Sequence, residues 1–250
     1  MRNILVTGSR GFIGQNLIQK LQQNSQNTIL EFTRENSLAE LEKLVLQSDF
    51  IYHIAGEVRP KSSGAEFKSS NVTLTQNLVN ILEKNGEKTP ILLVSSIHAR
   101  LQKNEYGKSK RESELLVEKY AKKHGAECFI YRLPHVFGEG CKANYNSVVS
   151  TWIYNTIKGL EVNVFDTSIE MQYVYVQDIV NDFISILEVG NRELYINPQN
   201  VYETTLGELV EYLGEFKNNI ENGQYAIKNN EFKEKLFQTY KDYWRKINAK

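Results

Sequence analysis

Apolar positions along the chain follow two spacings, short unbroken runs and steps of three or four residues. Residues 3–7 form an apolar run that ends at a glycine-rich turn, and residues 12–22 place apolar side chains on one helical face. The run is typical of a buried parallel strand, and the stepped pattern is typical of an amphipathic helix. The chain is therefore predicted to begin with a strand, a glycine turn and a helix.

The same alternation continues through the first half of the chain. Strands are predicted at residues 28–33, 50–54, 91–96 and 128–133, and helices at residues 37–47, 71–83 and 113–123. Strands that alternate with helices form a parallel sheet that is covered on both faces. The pattern therefore predicts an α/β fold with a doubly wound parallel sheet.

The C-terminal part is predicted to form a small lobe over the carboxyl edge of this sheet. Helices are predicted at residues 146–158, 204–216 and 231–244, short strands at 161–165 and 173–176, and a helix capped by Asp178 that ends near residue 187. The last helix has an apolar stripe. This stripe is expected either to pack on the lobe or to meet a missing domain or another subunit.

The first turn has glycines at positions 8, 11 and 14, a G-x-x-G-x-x-G spacing. Between a strand and a helix, such a turn lets backbone amides at the helix start approach a pyrophosphate. The alternative is a plain glycine turn. Dinucleotide binding is expected at Gly8, Arg10, Gly11, Phe12, Ile13 and Gly14, with Ala55 and Gly56 passing close to the cofactor after a later strand.

Catalytic chemistry is expected at the start of a helix near residue 105. Tyr106 and Lys110 are four residues apart, which places both side chains on one helix face. An ammonium beside a phenol lowers the pKa of the phenol and makes it a proton donor or acceptor. Ser96 ends the preceding strand, where parallel sheets place their sites. Ser96, Tyr106 and Lys110 are therefore the predicted catalytic residues, and the alternative is an unrelated tyrosine and lysine on an exposed helix.

The end of the second strand indicates which nicotinamide cofactor to expect. A carboxylate there would bind the 2′-hydroxyl of NAD, but Phe32 and Thr33 are followed by Arg34. Arg34 and Arg10 would together bind a 2′-phosphate through charge-assisted hydrogen bonds, which favours NADP(H). In the alternative, both arginines are solvated and Glu31 reaches the ribose.

Composition indicates which cell compartment and which kinds of partner to expect. The 250 residues suit one large domain, or one domain with a small appendage, and 30 basic against 30 acidic residues give no reason to expect nucleic acid or a membrane as a partner. Cys128 and Cys141 form no disulfide framework, and no apolar run approaches the length of a membrane span, so a cytoplasmic protein is expected. The four histidines lack metal-ligand spacing, and no metal site is expected.

Several segments together resemble a known superfamily. They are T-G-S-R-G-F-I-G from Thr7, H-I-A-G from His53, Asn71-Val72, Ser95-Ser96, Y-G-K-S-K from Tyr106 and Y-V-Y-V-Q-D-I from Tyr173. Over most of its length the chain resembles the extended short-chain dehydrogenases/reductases of the nucleotide-sugar epimerase/dehydratase family. G-E-V-R-P at residues 56–60, the short path from Ser96 to Tyr106 and residues 141–148 are most similar to capsular-polysaccharide reductases of the UDP-N-acetyl-L-fucosamine pathway.

The resemblance implies an activity and further site residues. It implies a Rossmann-like core at residues 1–140 that binds NADP, and a substrate-binding lobe at 141–250 that is interleaved with the end of the core sheet. The implied reaction is NADPH-dependent reduction of a UDP-linked 4-keto-2-acetamido-2,6-dideoxy hexose, in which Tyr106 donates the proton, Ser96 holds the oxygen and Lys110 also binds the nicotinamide ribose. Substrate binding is implied for Arg59, Ser96, His135, Asn144, Asn146 and Ser147, and a homodimer is implied as well.

The chain also departs from the family pattern. His135 follows Pro134 where asparagine is usual, so the substrate contact there is expected to differ. Full-length members carry a C-terminal cupin domain, which the resemblance credits with epimerising the sugar before reduction. Either a cupin domain or partner is expected outside these residues, or the chain is a stand-alone reductase domain. A 4,6-dehydratase would need an acid and a base where Ile97 and His98 stand, which disfavours that reaction. An epimerase that retains NAD, and a non-catalytic NADP-binding sensor or scaffold, remain as alternatives.

Overall fold

The structure, a computed structural model, describes residues 1–190, 193–227 and 230–249. Its strands are β1 (Arg2–Thr7), β2 (Asn27–Phe32), β3 (Phe50–His53), β4 (Ile91–Ser96), β5 (Cys128–Leu133), β6 (His135–Phe137), β7 (Glu170–Tyr175), β8 (Tyr195–Ile196) and β9 (Tyr202–Thr205). Its helices are α1 (Phe12–Leu21), α2 (Leu38–Leu46), α3 (Gly64–Phe67), a π-helical turn (Lys68–Thr73), α4 (Leu74–Asn85), α5 (His98–Leu101), α6 (Glu105–His124), α7 (Val148–Lys158), α8 (Val176–Val189), α9 (Leu206–Glu221) and α10 (Glu231–Asn248).

The first of two compact units comprises Met1–Leu133 and Val180–Pro198. Its described strands form one parallel sheet in the order β2-β1-β3-β4-β5-β8. After β1 the chain forms β2 on one side of β1, and it then crosses back to form β3 on the other side of β1. The strand order therefore reverses between β1 and β3. Ligands of open α/β sheets bind outside the carboxyl ends of the strands at such a point. The predicted doubly wound sheet is confirmed.

Apolar burial explains why this sheet forms. All six residues of β4 are buried, as expected for a central parallel strand covered on both faces. On one face, Leu5, Ile51 and Ile130 of the sheet pack with Leu78 of α4 and Val117 of α6. On the other face, the ring of Tyr52 in β3 stacks with that of Phe183 in α8, so the sheet lies between helices and the polar ends of its strands are left to form a site.

The second compact unit comprises Pro134–Ile179 and Gln199–Lys250. Among its described residues, β6, β7 and β9 form a sheet in which β7 is central. Helices α7, α9 and α10 pack with it, and the stripe of α10 contributes buried Phe232, Leu236, Phe237 and Tyr240 to this core. Packing within the lobe is therefore confirmed for this stripe. The assignment of substrate binding to residues 141–250 stays a prediction.

Several predicted element boundaries are wrong. Residues 161–165 form no strand, and Phe165 there is 90% exposed. Asp178 does not cap a helix, because α8 already begins at Val176, and its carboxylate instead accepts a hydrogen bond from Lys235 Nζ at 2.7 Å. The helix predicted to begin at residue 71 begins as α4 at Leu74, and the π-helical turn lies directly before it. The helix predicted from residue 146 begins at Val148, with Ser147 as its cap.

Candidate active site

The predicted catalytic residues lie together in the first unit. Ser96 ends β4, and Tyr106 and Lys110 occupy the first two turns of α6, whose N-cap Asn104 accepts a hydrogen bond from the Gly107 amide at 2.8 Å. The Ser96 hydroxyl donates a hydrogen bond to the Tyr106 phenol. The ammonium of Lys110 donates to the Val94 carbonyl oxygen at 3.0 Å. Their catalytic roles stay predictions, and the structure places the hydroxyl, the phenol and the ammonium at the end of β4 and the start of α6.

Burial dominates the electrostatics of this trio. Burial raises the pKa of Tyr106, and the hydrogen bond from Ser96 lowers it by a smaller amount. Burial also lowers the pKa of Lys110 to about 8, although the carboxylate of Glu114 favours the charged form. The prediction that Lys110 lowers the tyrosine pKa below its usual value is therefore wrong for this structure, because desolvation of the phenol is the larger effect.

Aromatic rings surround the Tyr106 phenol ring. The ring of Phe67, at the end of α3, has its centroid 5.7 Å from that of Tyr106, and the ring of His98 lies edge-on at 5.9 Å. Such pairs contribute about 0.5 to 1.5 kcal/mol beyond area burial. The ring of Tyr106 thus packs against side chains from both α3 and α5.

Asn71 in the π-helical turn was missed as a site residue, although Asn71-Val72 contributed to the resemblance. Its side chain accepts from the Glu57 amide at 2.8 Å and donates to the Glu57 carbonyl at 3.2 Å and to Ser109 Oγ at 2.9 Å. The backbone after β3 is thereby bound to α6. A Cβ added at Gly56 would lie 2.6 Å from Asn71 Oδ1 and 3.1 Å from Lys110 Nζ, which explains why glycine stands there. The signal for Asn71 was a polar residue inside an amphipathic helical pattern.

His53 is a buried histidine at the end of β3, and both of its ring nitrogens are hydrogen-bonded. The Thr75 hydroxyl donates to the Asn71 carbonyl at 2.6 Å, so Thr75 Oγ1 accepts from His53 Nε2 at 2.8 Å. Nδ1 then accepts from the Thr7 hydroxyl at 2.7 Å. Burial, together with the charge of Lys110, lowers the His53 pKa to about 3 and keeps the ring neutral. This chain of bonds links the end of β1 to the π-helical turn.

The glycine turn fits a diphosphate. Gly8 has φ +72°, and a Cβ there would lie 2.9 Å from Ala55, while a Cβ at Gly14 would lie 2.3 Å from the Gly8 carbonyl oxygen. The main chain can pack this closely only because side chains are lacking. Helix α1 begins after Gly11 with no side-chain cap and no acidic residue in its first turn. Its first amides therefore remain suited to an anion, and Phe12 and Ile13 are its first two residues.

The residues expected to choose the cofactor lie at the surface. Arg10 Nη1 pairs with Glu35 Oε2 at 2.5 Å, and both side chains are about two-thirds exposed. Arg34 is exposed and follows β2, which ends at Phe32, whereas Glu31 lies within that strand. An exposed pair contributes little to stability, so the Arg10 pair could exchange for a phosphate at small cost. The choice of NADP over NAD stays a prediction.

The residues expected to bind substrate divide between the two units. In the first, Arg59 donates from Nε and Nη2 to both oxygens of Glu57, at 2.9 and 2.7 Å. These and two backbone amides lower the Glu57 pKa to about 2. In the second, exposed His135 lies on β6 with its ring 5.9 Å from that of Tyr173. Asn144 has φ +56°, Asn146 is exposed, and Ser147 caps α7 by accepting from the Ser150 amide at 3.2 Å.

Two further features were considered over the described residues, a metal site and a membrane-spanning helix. Within the described ranges, no group of three or more histidine, cysteine, aspartate or glutamate side chains is arranged to hold a metal ion. No helix in these ranges has both the length and the apolar character needed to cross a membrane.

Comparisons with known proteins agree with the fold. The chain is 37% identical over 240 residues to the UDP-2-acetamido-2,6-beta-L-arabino-hexul-4-ose reductase of Pseudomonas aeruginosa, covering 95% of this chain and 63% of the relative. The crystal structure of the capsular polysaccharide assembling protein CapF of Staphylococcus aureus has a TM-score of 0.86 and 35% identity, covering 99% of this chain and 66% of that one. The structure of a UDP-glucuronic acid 4-epimerase of Bacillus cereus in complex with NAD has a TM-score of 0.82 at 18% identity. The match covers 99% of this chain and 98% of that one.

A parallel sheet with a glycine turn after its first strand and polar residues at the carboxyl ends of its strands is the architecture of the dinucleotide-binding α/β folds. The model of the NAD dependent epimerase/dehydratase family matches residues 4–196, and the chain belongs to that family. The chain spans slightly less than two-thirds of the length of the Pseudomonas and Staphylococcus relatives.

Proposed function

We propose that the chain reduces the ketone of a UDP-linked 4-keto-2-acetamido-2,6-dideoxy hexose with NADPH. The observation that carries the proposal is the hydrogen bond between Ser96 and Tyr106 beside buried Lys110. The substrate class comes from the name of the Pseudomonas reductase, with 37% identity. Because the chain spans 63% of that relative, the activity of the whole relative is a hypothesis for this chain.

Each residue of the trio has a separate task in this proposal. The Ser96 hydroxyl turns from the phenol to the ketone oxygen and holds it. Tyr106 keeps its proton at neutral pH, because burial raises its pKa, and donates that proton to the oxygen as negative charge develops there. Lys110, protonated below about pH 8, stabilises the phenolate that is left. The nicotinamide cofactor supplies the hydride when bound.

The glycine turn is suited to a diphosphate, and this indicates which residues would hold each part of the cofactor. The diphosphate would be held by the start of α1, with Gly8, Gly11, Phe12, Ile13 and Gly14, and the nicotinamide end by Ala55, Gly56, Tyr106 and Lys110. Arg10 and Arg34 would bind the 2′-phosphate of NADP(H). Arg59, Ser96, His135, Asn144, Asn146 and Ser147 are proposed to bind the UDP-sugar. A homodimer and a cupin domain or partner belong to the same proposal.

The test is NADPH oxidation by the purified chain with a panel of UDP- and dTDP-linked 4-keto sugars. We expect oxidation with the UDP-linked 2-acetamido-2,6-dideoxy ketone and formation of its alcohol, and no oxidation with UDP-N-acetylglucosamine, which lacks the ketone. Protein that purifies with NAD and interconverts sugars without consuming NADPH would instead be an epimerase. NADPH binding without turnover of any sugar would favour a sensor or scaffold.

A further inference from the structure

Glu114 is a buried carboxylate near the trio to which the proposed reduction gives no task. It lies on α6 four residues after Lys110, so the two side chains share a helix face. Its side chain is fully buried, and the Ser95 hydroxyl donates to its Oε1 at 2.6 Å. Ser95 directly precedes Ser96 in β4. The carboxylate is therefore bonded to the strand that ends in the hydroxyl of the trio.

Two arginines hold this carboxylate in place. Arg132 of β5 donates from Nε to Oε1 at 2.8 Å and from Nη2 to Oε2 at 2.7 Å, which makes a bidentate pair. Arg111 of α6 donates from Nη1 to Oε2 at 2.9 Å. Burial raises the pKa of Glu114, but the hydrogen bonds from Arg132, Ser95 and Arg111 together bring it below its ordinary value. Glu114 is therefore ionised at neutral pH.

Helix α6 is bonded to three consecutive residues at the end of β4. The trio supplies two of these bonds, at Ser96 and at the Val94 carbonyl oxygen. Glu114 supplies the third, at Ser95. Because Arg132 belongs to β5, the same carboxylate also joins α6 to the next strand of the sheet. Glu114 thus contributes to the position of the helix that carries the phenol and the ammonium.

The groups around Lys110 give the charge of Glu114 a second effect. On α6, the neighbours of Lys110 one turn away in the two directions are the protonated phenol of Tyr106 and the carboxylate of Glu114. From β3 it is faced by the neutral ring of His53, and from β4 by the Val94 carbonyl oxygen. Burial disfavours the ammonium form of Lys110, and the charge of Glu114 favours it.

We propose that Glu114 is a positioning residue of the site, which anchors α6 to β4 and β5 and supplies the negative charge that favours the ammonium form of Lys110. Its effect on turnover rests on the proposed function, whereas its effect on the charge of Lys110 does not. Removal of this carboxylate should therefore change the protonation of the ammonium whether or not a sugar is reduced.

Two substitutions that break the same ion pair should change the pKa of Lys110 in opposite directions. Glu114→Gln removes the negative charge and leaves both arginines in place, so the pKa of Lys110 should fall by about 1 unit or more. Arg132→Gln removes a positive charge and leaves the carboxylate bonded to Ser95 and Arg111, so the pKa of Lys110 should rise. A purely structural role of the ion pair would give both variants the same kind of loss.

The test titrates Lys110 directly, by NMR of the 250-residue chain labelled with ¹³C at the lysine Cε. The signal of Lys110 is identified by its absence from Lys110→Met. We expect a midpoint at about pH 8 in wild type, a lower midpoint in Glu114→Gln and a higher one in Arg132→Gln. Glu118→Gln is the matched control, because Glu118 is also bonded to Arg111 but lies one turn farther along α6 and is partly exposed. Its midpoint should stay close to that of wild type.

Turnover adds a second readout if the chain reduces a keto sugar. The falling limb of kcat should then move with the titration midpoint in each variant. Glu114→Asp keeps the charge on a shorter side chain, so it should lower kcat and leave the limb near its wild-type pH. A limb that stays in place while the midpoint moves would overturn the action of Glu114 through Lys110.

The titration is decisive by itself. An unchanged midpoint in Glu114→Gln, or shifts of the same sign in Glu114→Gln and Arg132→Gln, would overturn the charge role. If Glu114→Gln does not fold, an unchanged or lower midpoint in Arg132→Gln has the same meaning. A chain that reduces no sugar of the panel but shows the opposite shifts would refute the proposed function and support the role of Glu114.

Discussion

Tyr106 experiences two opposing effects in this structure, desolvation that raises its pKa and a hydrogen bond from Ser96 that lowers it. Because desolvation is the larger, the phenol keeps its proton across the neutral range, and the proposed reduction uses it as an acid. Tyr106→Phe removes the proton and keeps the ring that packs with Phe67. We expect turnover to fall by about 10²- to 10⁴-fold.

The control for this prediction is cofactor affinity. NADPH binding measured by calorimetry should be nearly the same in Tyr106→Phe as in wild type, because most of the proposed cofactor contacts lie elsewhere. A variant that keeps more than half of the wild-type turnover would remove Tyr106 from the proton-donor role.

Lys110 leads to a pH prediction with a definite direction. Burial lowers its pKa to about 8 from an ordinary value near 10.5, so it loses its charge on the alkaline side of neutrality. If the charge stabilises the phenolate of Tyr106, turnover should fall as pH rises through about 8, by about tenfold per unit beyond it. The pH dependence of kcat with saturating NADPH measures this limb.

Lys110→Met is the matching variant. It should lower both turnover and NADPH affinity, and its residual activity should show no falling limb near pH 8. A wild-type limb that begins only near the ordinary lysine pKa, or a Lys110→Met variant with unchanged turnover and affinity, would contradict the double role.

The positions of these side chains were predictable from the sequence, but their pKa values were not. The four-residue spacing of Tyr106 and Lys110 follows from helix geometry alone. How far each group is desolvated depends on Phe67, His98 and the strand end that pack against it, and these contacts are set by the tertiary fold. The prediction for the phenol considered only the charge of Lys110 and omitted desolvation, which is the largest effect on the pKa of Tyr106.

At the scale of elements, the site depends on how closely β3, α6 and the π-helical turn approach one another. Gly56→Ala would place a Cβ 2.6 Å from Asn71 Oδ1, which is buried and bonded to the Glu57 amide. Asn71 must then move and give up that bond. We expect the free energy of unfolding to fall by about 1 to 3 kcal/mol and turnover to fall at least tenfold.

Gly214→Ala is the matched control. Gly214 is exposed in α9, and a Cβ there would meet nothing within 4 Å. Alanine costs less conformational entropy than glycine in a helix, so this change should raise the free energy of unfolding by about 0.5 to 1 kcal/mol. Urea unfolding of both variants measures the contrast, and equal effects would refute the close-packing argument at Gly56.

Element prediction succeeded where a local pattern and tertiary burial agree. The unbroken apolar run of β4 is buried at every position, as the run indicated. Residues 161–165 have the alternating pattern of a strand, but they pair with none of the strands in the described part of the chain, and Phe165 is exposed. The π-helical turn was not predictable from periodicity, because it depends on the bonds that Asn71 makes to Glu57 and Ser109.

At the scale of the whole molecule, basic and acidic residues balance at 30 each, so attraction for an anionic ligand has to arise locally. The start of α1 is one local source in the proposed site, and it would attract NAD and NADP equally through the diphosphate they share. Discrimination between them therefore rests on side chains that reach the 2′-phosphate. Arg10, bound to Glu35, and exposed Arg34 are the proposed pair.

This choice can be measured through the stability of the folded chain, because a ligand that binds only the folded state raises its stability in proportion to the logarithm of [L]/Kd. One charge-assisted contact to the 2′-phosphate should favour NADPH over NADH by about tenfold or more, which is about 1.4 kcal/mol. At equal saturating concentrations, NADPH should then raise the Tm of the wild-type chain by about 3 to 6 °C more than NADH does. Arg34→Ala should reduce this difference and leave the Tm with NADH nearly unchanged, since NADH lacks the phosphate. Equal losses with both cofactors would assign Arg34 to the adenine or to the fold, and a larger shift with NADH in wild type would overturn the assignment to NADP.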